Sequence, residues 1–144
     1  MKKIGILGST GSIGKQALDI INSNPDKFSV VSLAANENID LLIKQTYNFN
    51  PKSICIYNEK KFKKLKKSVN VKNIYAGKSG LAELIHTSDV DIFINAIDGY
   101  SGLESTINII ESGIDIALAN KESIVQAGHI IIKTAKKKDV NIFP

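Results

Sequence analysis

Short apolar runs and longer stretches with apolar residues at helical spacing alternate from one end of the chain to the other. The runs at residues 2–7, 28–34, 53–56, 73–75, 91–95, 115–118 and 141–143 predict strands. Between them, residues 12–22, 39–47, 61–67, 80–86, 102–112 and 122–137 set apolar side chains three and four apart, as amphipathic helices do. Asn24-Pro25 and Asn50-Pro51 punctuate the first two crossovers, because a residue before proline avoids helical backbone. Ile92-Phe-Ile94 has no polar face, which suits a parallel sheet covered on both sides. No repeat, linker or boundary interrupts the pattern. It predicts one α/β domain over residues 1–144, an open, doubly wound, mainly parallel sheet of about six to seven strands with helices on both faces. Ligands of such a sheet collect beyond the carboxyl ends of its strands.

The first of those ends is the most informative. Ile4, Ile6 and Leu7 run straight into Gly8-Ser-Thr-Gly-Ser-Ile-Gly14, with glycines three apart. In a phosphate-binding turn Gly8 permits the tight bend, Gly11 lets backbone approach a pyrophosphate, and Gly14 lets the helix pack on the strand. The helix dipole adds positive potential at the same spot, so an anionic cofactor is the expected occupant. A plain strand-to-helix turn would also use glycine. The G-x-x-G-x-x-G spacing tends towards the phosphorylated cofactor. At the second carboxyl end Glu37 lies 23 residues beyond Gly14. An acid there holds a ribose 2′-hydroxyl and so favours the unphosphorylated cofactor. Equally, Asn36 and Asn38 could form a turn while Glu37 faces a helix amino end.

The third end, residues 95–103, has small residues that would let a flat ring lie against backbone, or is a loop capped by Ser101. At the fourth, Asn120, Lys121 and Glu122 emerge together where a strand gives way to a helix. Asn120 as a cap and Glu122 in a first turn are ordinary. Lys121 is not, since a cation at a helix amino end opposes the dipole unless an anion shares the site.

Composition narrows the partners. With 144 residues, 43% hydrophobic and 23% charged, the chain is large enough for its own core and reads as soluble. No apolar run approaches the ~20 residues that cross a bilayer, and Met1-Lys-Lys-Ile-Gly5 lacks a signal peptide's apolar segment. We expect no membrane association and a cytoplasmic protein. The formal charge of +5 suggests nucleic acid, yet six of nineteen lysines fall within residues 60–67, leaving thirteen lysines against fourteen acids elsewhere. Those six read as the solvated face of one amphipathic helix, so no nucleic-acid partner is expected. Cys55 sits in the apolar run Ser53-Ile-Cys-Ile-Tyr57 and is expected to pack as a small hydrophobe. Neither His86 nor His129 brings it a recognisable catalytic partner.

GSTGSIG at residues 8–14 and LANKES at residues 118–123, in this order and separation, resemble the 1-deoxy-D-xylulose 5-phosphate reductoisomerase family. The likeness continues through Leu18-Asp19, Asn24-Pro25, Asn38 and residues 99–102, and covers the N-terminal part of such an enzyme. It implies a Rossmann-like NADPH-binding domain. Family members use NADPH and a divalent metal, Mg or Mn, to isomerise and reduce a sugar phosphate to 2-C-methyl-D-erythritol 4-phosphate in non-mevalonate isoprenoid synthesis. The resemblance implies Thr10, Gly11, Ser12 and Ile13 around the cofactor phosphates and Asn36, Glu37 and Asn38 at the adenosine end. It implies Asn120 and Glu122 near the reactive half of the cofactor and Lys121 on the substrate. A homodimer in a bacterial cytoplasm is implied for the full-length enzyme.

One departure stands out. Where the family has Gly then Lys or Arg before the asparagine at 38, this chain has Asn36 and Glu37, which removes an expected partner for the 2′-phosphate. The family's Asp-Ser-Glu metal triplet follows a strand resembling Ile142-Phe-Pro144. No catalytic residue or metal ligand is therefore expected within residues 1–144; Asp and Glu are expected soon after. The domain alone is expected to bind cofactor without catalysis. Two rival readings are a semialdehyde-dehydrogenase-type cofactor domain, which needs a catalytic cysteine, and a non-catalytic nucleotide-sensing module.

Overall fold

The computed structural model describes residues 1–119 and 121–144, with residues 121 and 123 described by backbone alone. Each apolar run expected to be a strand is one: β1 Lys2–Leu7, β2 Phe28–Ala35, β3 Ser53–Ile56, β4 Asn73–Ala76, β5 Ile92–Asn95, β6 Asp115–Leu118 and β7 Ile142–Phe143. Between them lie α1 Ser12–Asn22, α2 Ile39–Phe49, α3 Phe62–Ser68, α4 Gly77–Thr87, α5 Gly99–Glu111 and α6 Lys121–Lys138. A 3-10 turn, Glu59–Lys61, precedes α3, so Lys61 is outside the helix expected to contain it. Helices α4 and α5 begin at Gly77 and Gly99 rather than at residues 80 and 102. Their opening turns, Gly77-Lys-Ser79 and Gly99-Tyr-Ser101, carry no aliphatic residue at core spacing, and Tyr100 is exposed. Within α6 the backbone leaves helical geometry at Ala127, with φ −141° and ψ 28°. No described helix is long and apolar enough to cross a membrane.

The sheet order is β4-β3-β2-β1-β5-β6-β7, and every neighbouring pair is parallel. The chain winds outwards from β1 to β4, returns through α4, and continues from β5 on the other side of β1. The direction of winding therefore reverses between β1 and β5, which leaves a crevice outside their carboxyl ends. Asp91 reinforces that pairing by accepting the Lys3 amide at 2.7 Å. Asp89 takes the Lys3 ammonium at 2.7 Å, which holds the carboxyl below its ordinary range and the amine above its own.

The two faces of the sheet carry separate cores. On one, Ile6, Leu33, Ile54 and Ile56 meet Leu18 and Ile21 of α1, Leu42 of α2 and Leu65 of α3. On the other, Leu7, Cys55, Phe93 and Ile116 meet Leu84 and Ile85 of α4, Ile109 and Ile110 of α5, and Ile131 of α6. A fully buried Leu or Ile contributes about 1.5–3 kcal/mol. Burial on both faces holds the strand ends, and so the crevice, in one arrangement.

Candidate functional site

At the end of β1 the chain turns at Gly8, whose φ of +81° is left-handed. A side chain there would be strained and would also lie 2.8 Å from the Ala96 carbonyl oxygen beyond β5. The Ala34 carbonyl at the end of β2 accepts the amides of both Gly8 and Ser9 at 2.9 Å. From beneath, the buried Gln45 of α2 donates its Nε2 to the Ser9 carbonyl at 2.9 Å. Helix α1 then crosses so closely that a Cβ on Gly14 would strike the Gly8 carbonyl oxygen and lie 2.7 Å from Ser9 Cα. Strand, turn and helix are thus locked together, as expected of Gly8 and Gly14.

Gly11 behaves differently. Its backbone is extended, and a Cβ there would meet only the Gly8 oxygen, at 3.6 Å. It is the N-cap residue of α1, no side chain caps that helix, and its first turn contains no acid. The amide-rich positive end of α1 is therefore presented without an acid of its own first turn to occupy it.

This end of α1 opens onto a cleft of about 350 Å3. Thr10 and Gly11 line one wall, Ala34, Ala35 and Asn36 the next, and Ala96, Ile97, Asp98 and Ser101 the wall opposite; Cys55, Tyr57 and Leu81 line the rest. Small residues dominate where the strands end, so a flat ligand can approach the backbone. The polarity suits part of a nucleotide cofactor: an uncapped helix amino end for phosphates and a partly apolar slot beside it.

The loop after β2 bounds the cleft at one end. Asn36, Glu37 and Asn38 are all exposed, and Asn38 Oδ1 accepts the Leu41 amide at 3.1 Å, capping α2. Two backbone bonds join this loop to the one after β3: Tyr57 N to the Ala35 carbonyl at 2.9 Å and Asn58 N to the Asn36 carbonyl at 3.0 Å. Lys61 reaches the same place, donating its ammonium to the Glu37 carbonyl at 2.7 Å. The expectation of a uniformly solvated lysine face does not hold for this residue.

Thr10, Gly11 and Asn36 line the cleft; Ser12 and Ile13, the first residues of α1, are exposed and outside that lining, Ile13 at 44%, as are Glu37 and Asn38. Asn120 lies outside the described residues, and Lys121 is described only as the first residue of α6. Glu122 is exposed in the first turn of that helix. This turn follows β6, which pairs with β5, and the Ala119 amide donates to the Asn95 carbonyl at 3.2 Å. The glycine turn and the start of α6 therefore share one edge of the sheet, with the end of β5 between them.

Several contributors escape a reading of the sequence. Gln45 and Asn95 are buried amides that hold the walls, and Lys61 is one of six lysines in a run. The small residues after β5 do line the cleft, but Ser101 is not a cap: α5 starts at Gly99 with Asp98 at its N-cap position. Cys55 packs at the base of the cleft, only 1% exposed, and burial pushes its thiol up to about 12. Such a thiol is protonated at neutral pH and unsuited to nucleophilic attack, which argues against the semialdehyde-dehydrogenase reading. No three described His, Cys, Asp or Glu side chains stand together as a metal site.

Residues 4–128 match the family of 1-deoxy-D-xylulose 5-phosphate reductoisomerase. The 1-deoxy-D-xylulose 5-phosphate reductoisomerase of Bacteroides fragilis is 43% identical over 146 aligned positions, which cover 99% of this chain and 37% of that protein. Among solved structures, the reductoisomerase from Zymomonas mobilis in complex with NADPH is similar at a TM-score of 0.92 and 34% identity, over 99% of this chain and 38% of that one. A DOX-P reductoisomerase in complex with NADPH, fosmidomycin and magnesium gives a TM-score of 0.92 at 36% identity, over 99% of this chain and 36% of that one.

Proposed function

This chain belongs to the 1-deoxy-D-xylulose 5-phosphate reductoisomerase family, and we propose that residues 1–144 form the NADPH-binding domain of such an enzyme. One observation carries the proposal: the uncapped amino end of α1 opens, past a glycine with free space beside it, onto a cleft at the switch point of the sheet. A pyrophosphate there gains backbone donors and dipole attraction without displacing any protein group.

On this reading Thr10, Gly11, Ser12 and Ile13 hold the cofactor phosphates, and Asn36, Glu37 and Asn38 bound its adenosine end. The nicotinamide half extends past Ala96 and Ile97 towards α6, where Asn120 and Glu122 contact it and Lys121 meets the phosphorylated sugar. When bound, NADPH supplies a hydride. The work of these residues is to orient the donor and to keep its charged end away from the reacting end. For the whole protein we propose isomerisation and reduction of 1-deoxy-D-xylulose 5-phosphate to 2-C-methyl-D-erythritol 4-phosphate, by a cytoplasmic homodimer. Its Mg or Mn ion would be held by residues outside this chain.

Calorimetric titration of the 144-residue chain with NADPH and NADH tests the proposal. Saturable binding, tighter for NADPH and without consumption of NADPH when 1-deoxy-D-xylulose 5-phosphate and magnesium are added, is the expected result. Failure to bind either cofactor would sink it.

A further inference from the structure

We propose that Lys61, reaching across from the turn before α3, receives the 2′-phosphate of the cofactor at the position where the loop after β2 offers an acid and two amides but no cation. The inference rests on the NADPH reading of the cleft and names the residue that would make the cofactor the phosphorylated one. An acid at the tip of the second strand bonds a ribose 2′-hydroxyl, whereas a phosphate there requires a cation. Glu37 on its own would repel that phosphate. The Lys61 ammonium, however, stands 2.7 Å from the Glu37 carbonyl oxygen and so brings a cation to this loop, next to the cleft-lining Asn36. An ammonium has three donors, and this bond uses one.

The placement of Lys61 is built into the fold. The Asn58 amide bonds to the Asn36 carbonyl at 3.0 Å, the Lys61 amide returns to the Asn58 carbonyl at 3.1 Å, and Asn58 Oδ1 caps the Lys60 amide at 3.1 Å. Backbone and side chain of Lys61 are thereby both referenced to the Asn36–Glu37 segment. Neighbouring lysines point elsewhere: Lys64 pairs with Asp40 at 3.5 Å, and Lys66 lies over the Phe62 ring at 5.9 Å. Lys61 is, among the described lysines, the one with a hydrogen bond to residues 36–38. Its half-buried stem limits the entropy lost when the phosphate arrives.

Titration of the protein and of its Lys61→Gln and Lys60→Gln variants with NADPH and NADH decides the matter. Lys61→Gln should weaken NADPH by roughly 10–100-fold, the range of one charge-assisted bond, with NADH within about threefold of its starting value. Lys60→Gln, one residue away and exposed, should change neither. Lys61→Arg keeps the cation and should keep the NADPH preference. Equal losses for both cofactors, an unchanged NADPH affinity in Lys61→Gln, or the same loss in Lys60→Gln would overturn the role of Lys61 while leaving the cofactor site standing. An unsubstituted protein that binds neither cofactor overturns the site and this role together.

Discussion

The side-chain amide of Asn95, the last residue of β5, donates to Thr106 Oγ1 inside α5 at 2.9 Å and to the Gly102 carbonyl at the same distance. Its oxygen accepts the Ile97 amide at 3.2 Å, so one fully buried side chain holds strand, loop and helix together on the far wall of the cleft. Replacing Asn95 with Leu keeps the branched outline of the side chain, adds some bulk and removes these bonds. A loss of about 2–4 kcal/mol in urea unfolding is expected, together with weaker cofactor binding. A variant as stable as the parent would show that this wall is held by packing alone.

The glycine turn separates folding from binding. Gly8→Ala forces a left-handed backbone on an L side chain and pushes it towards Ala96, so thermal stability should fall by about 1–3 kcal/mol. Gly11→Ala meets nothing close in the protein and should melt near the parent temperature. Its methyl group instead faces the approaching phosphates, and NADPH affinity should fall by roughly tenfold or more. If Gly11→Ala binds normally in a titration, the phosphates do not lie where α1 directs them.

Gln45 supports the turn from the side that no ligand reaches. Gln45→Met preserves length and apolar packing but leaves the buried Ser9 carbonyl without its 2.9 Å donor. Unfolding measurements should show a cost of about 1–3 kcal/mol. An unchanged midpoint would mean that the two amide bonds to Ala34 suffice.

Cys55 gives the protein an alkaline limit. Burial raises its thiol from 9.0 to about 12, so the native state keeps the proton that the unfolded chain releases. Its contribution is complete below about pH 9 and is lost as the pH rises towards about 12, by up to about 1.4 kcal/mol per unit. Subtracting the stability profile of Cys55→Ala should isolate that slope from the lysine and tyrosine titrations in the same range. A native thiol that reacts rapidly with a disulfide reagent at pH 8 would contradict it.

The legible and the hidden parts of this molecule differ in kind. Apolar runs such as Ile92-Phe-Ile94 in β5 declare themselves because a strand covered on two faces needs no polar face, and Gly8 to Gly14 because the turn tolerates few residue types. Starts of helices without apolar periodicity, at Gly77 and Gly99, are displaced for lack of that signal. Gln45 and Asn95 look like ordinary polar interruptions, since only tertiary structure determines whether an amide faces water or a carbonyl. Lys61 is harder still: five neighbouring lysines carry the same chemistry, and the fold alone turns this one onto Glu37.

The pairing of β1 with β5 also sets a timetable. Lys3 and Asp91, which meet at 2.7 Å, are 88 residues apart. At the roughly 5–20 residues per second of protein synthesis, about 4–18 s separate the making of the glycine turn from that of its opposite wall. During that interval the turn exists without a cleft. The cofactor therefore cannot guide the early stages of assembly on the ribosome; it can only ratchet the finished domain, by mass action, after β5 has docked.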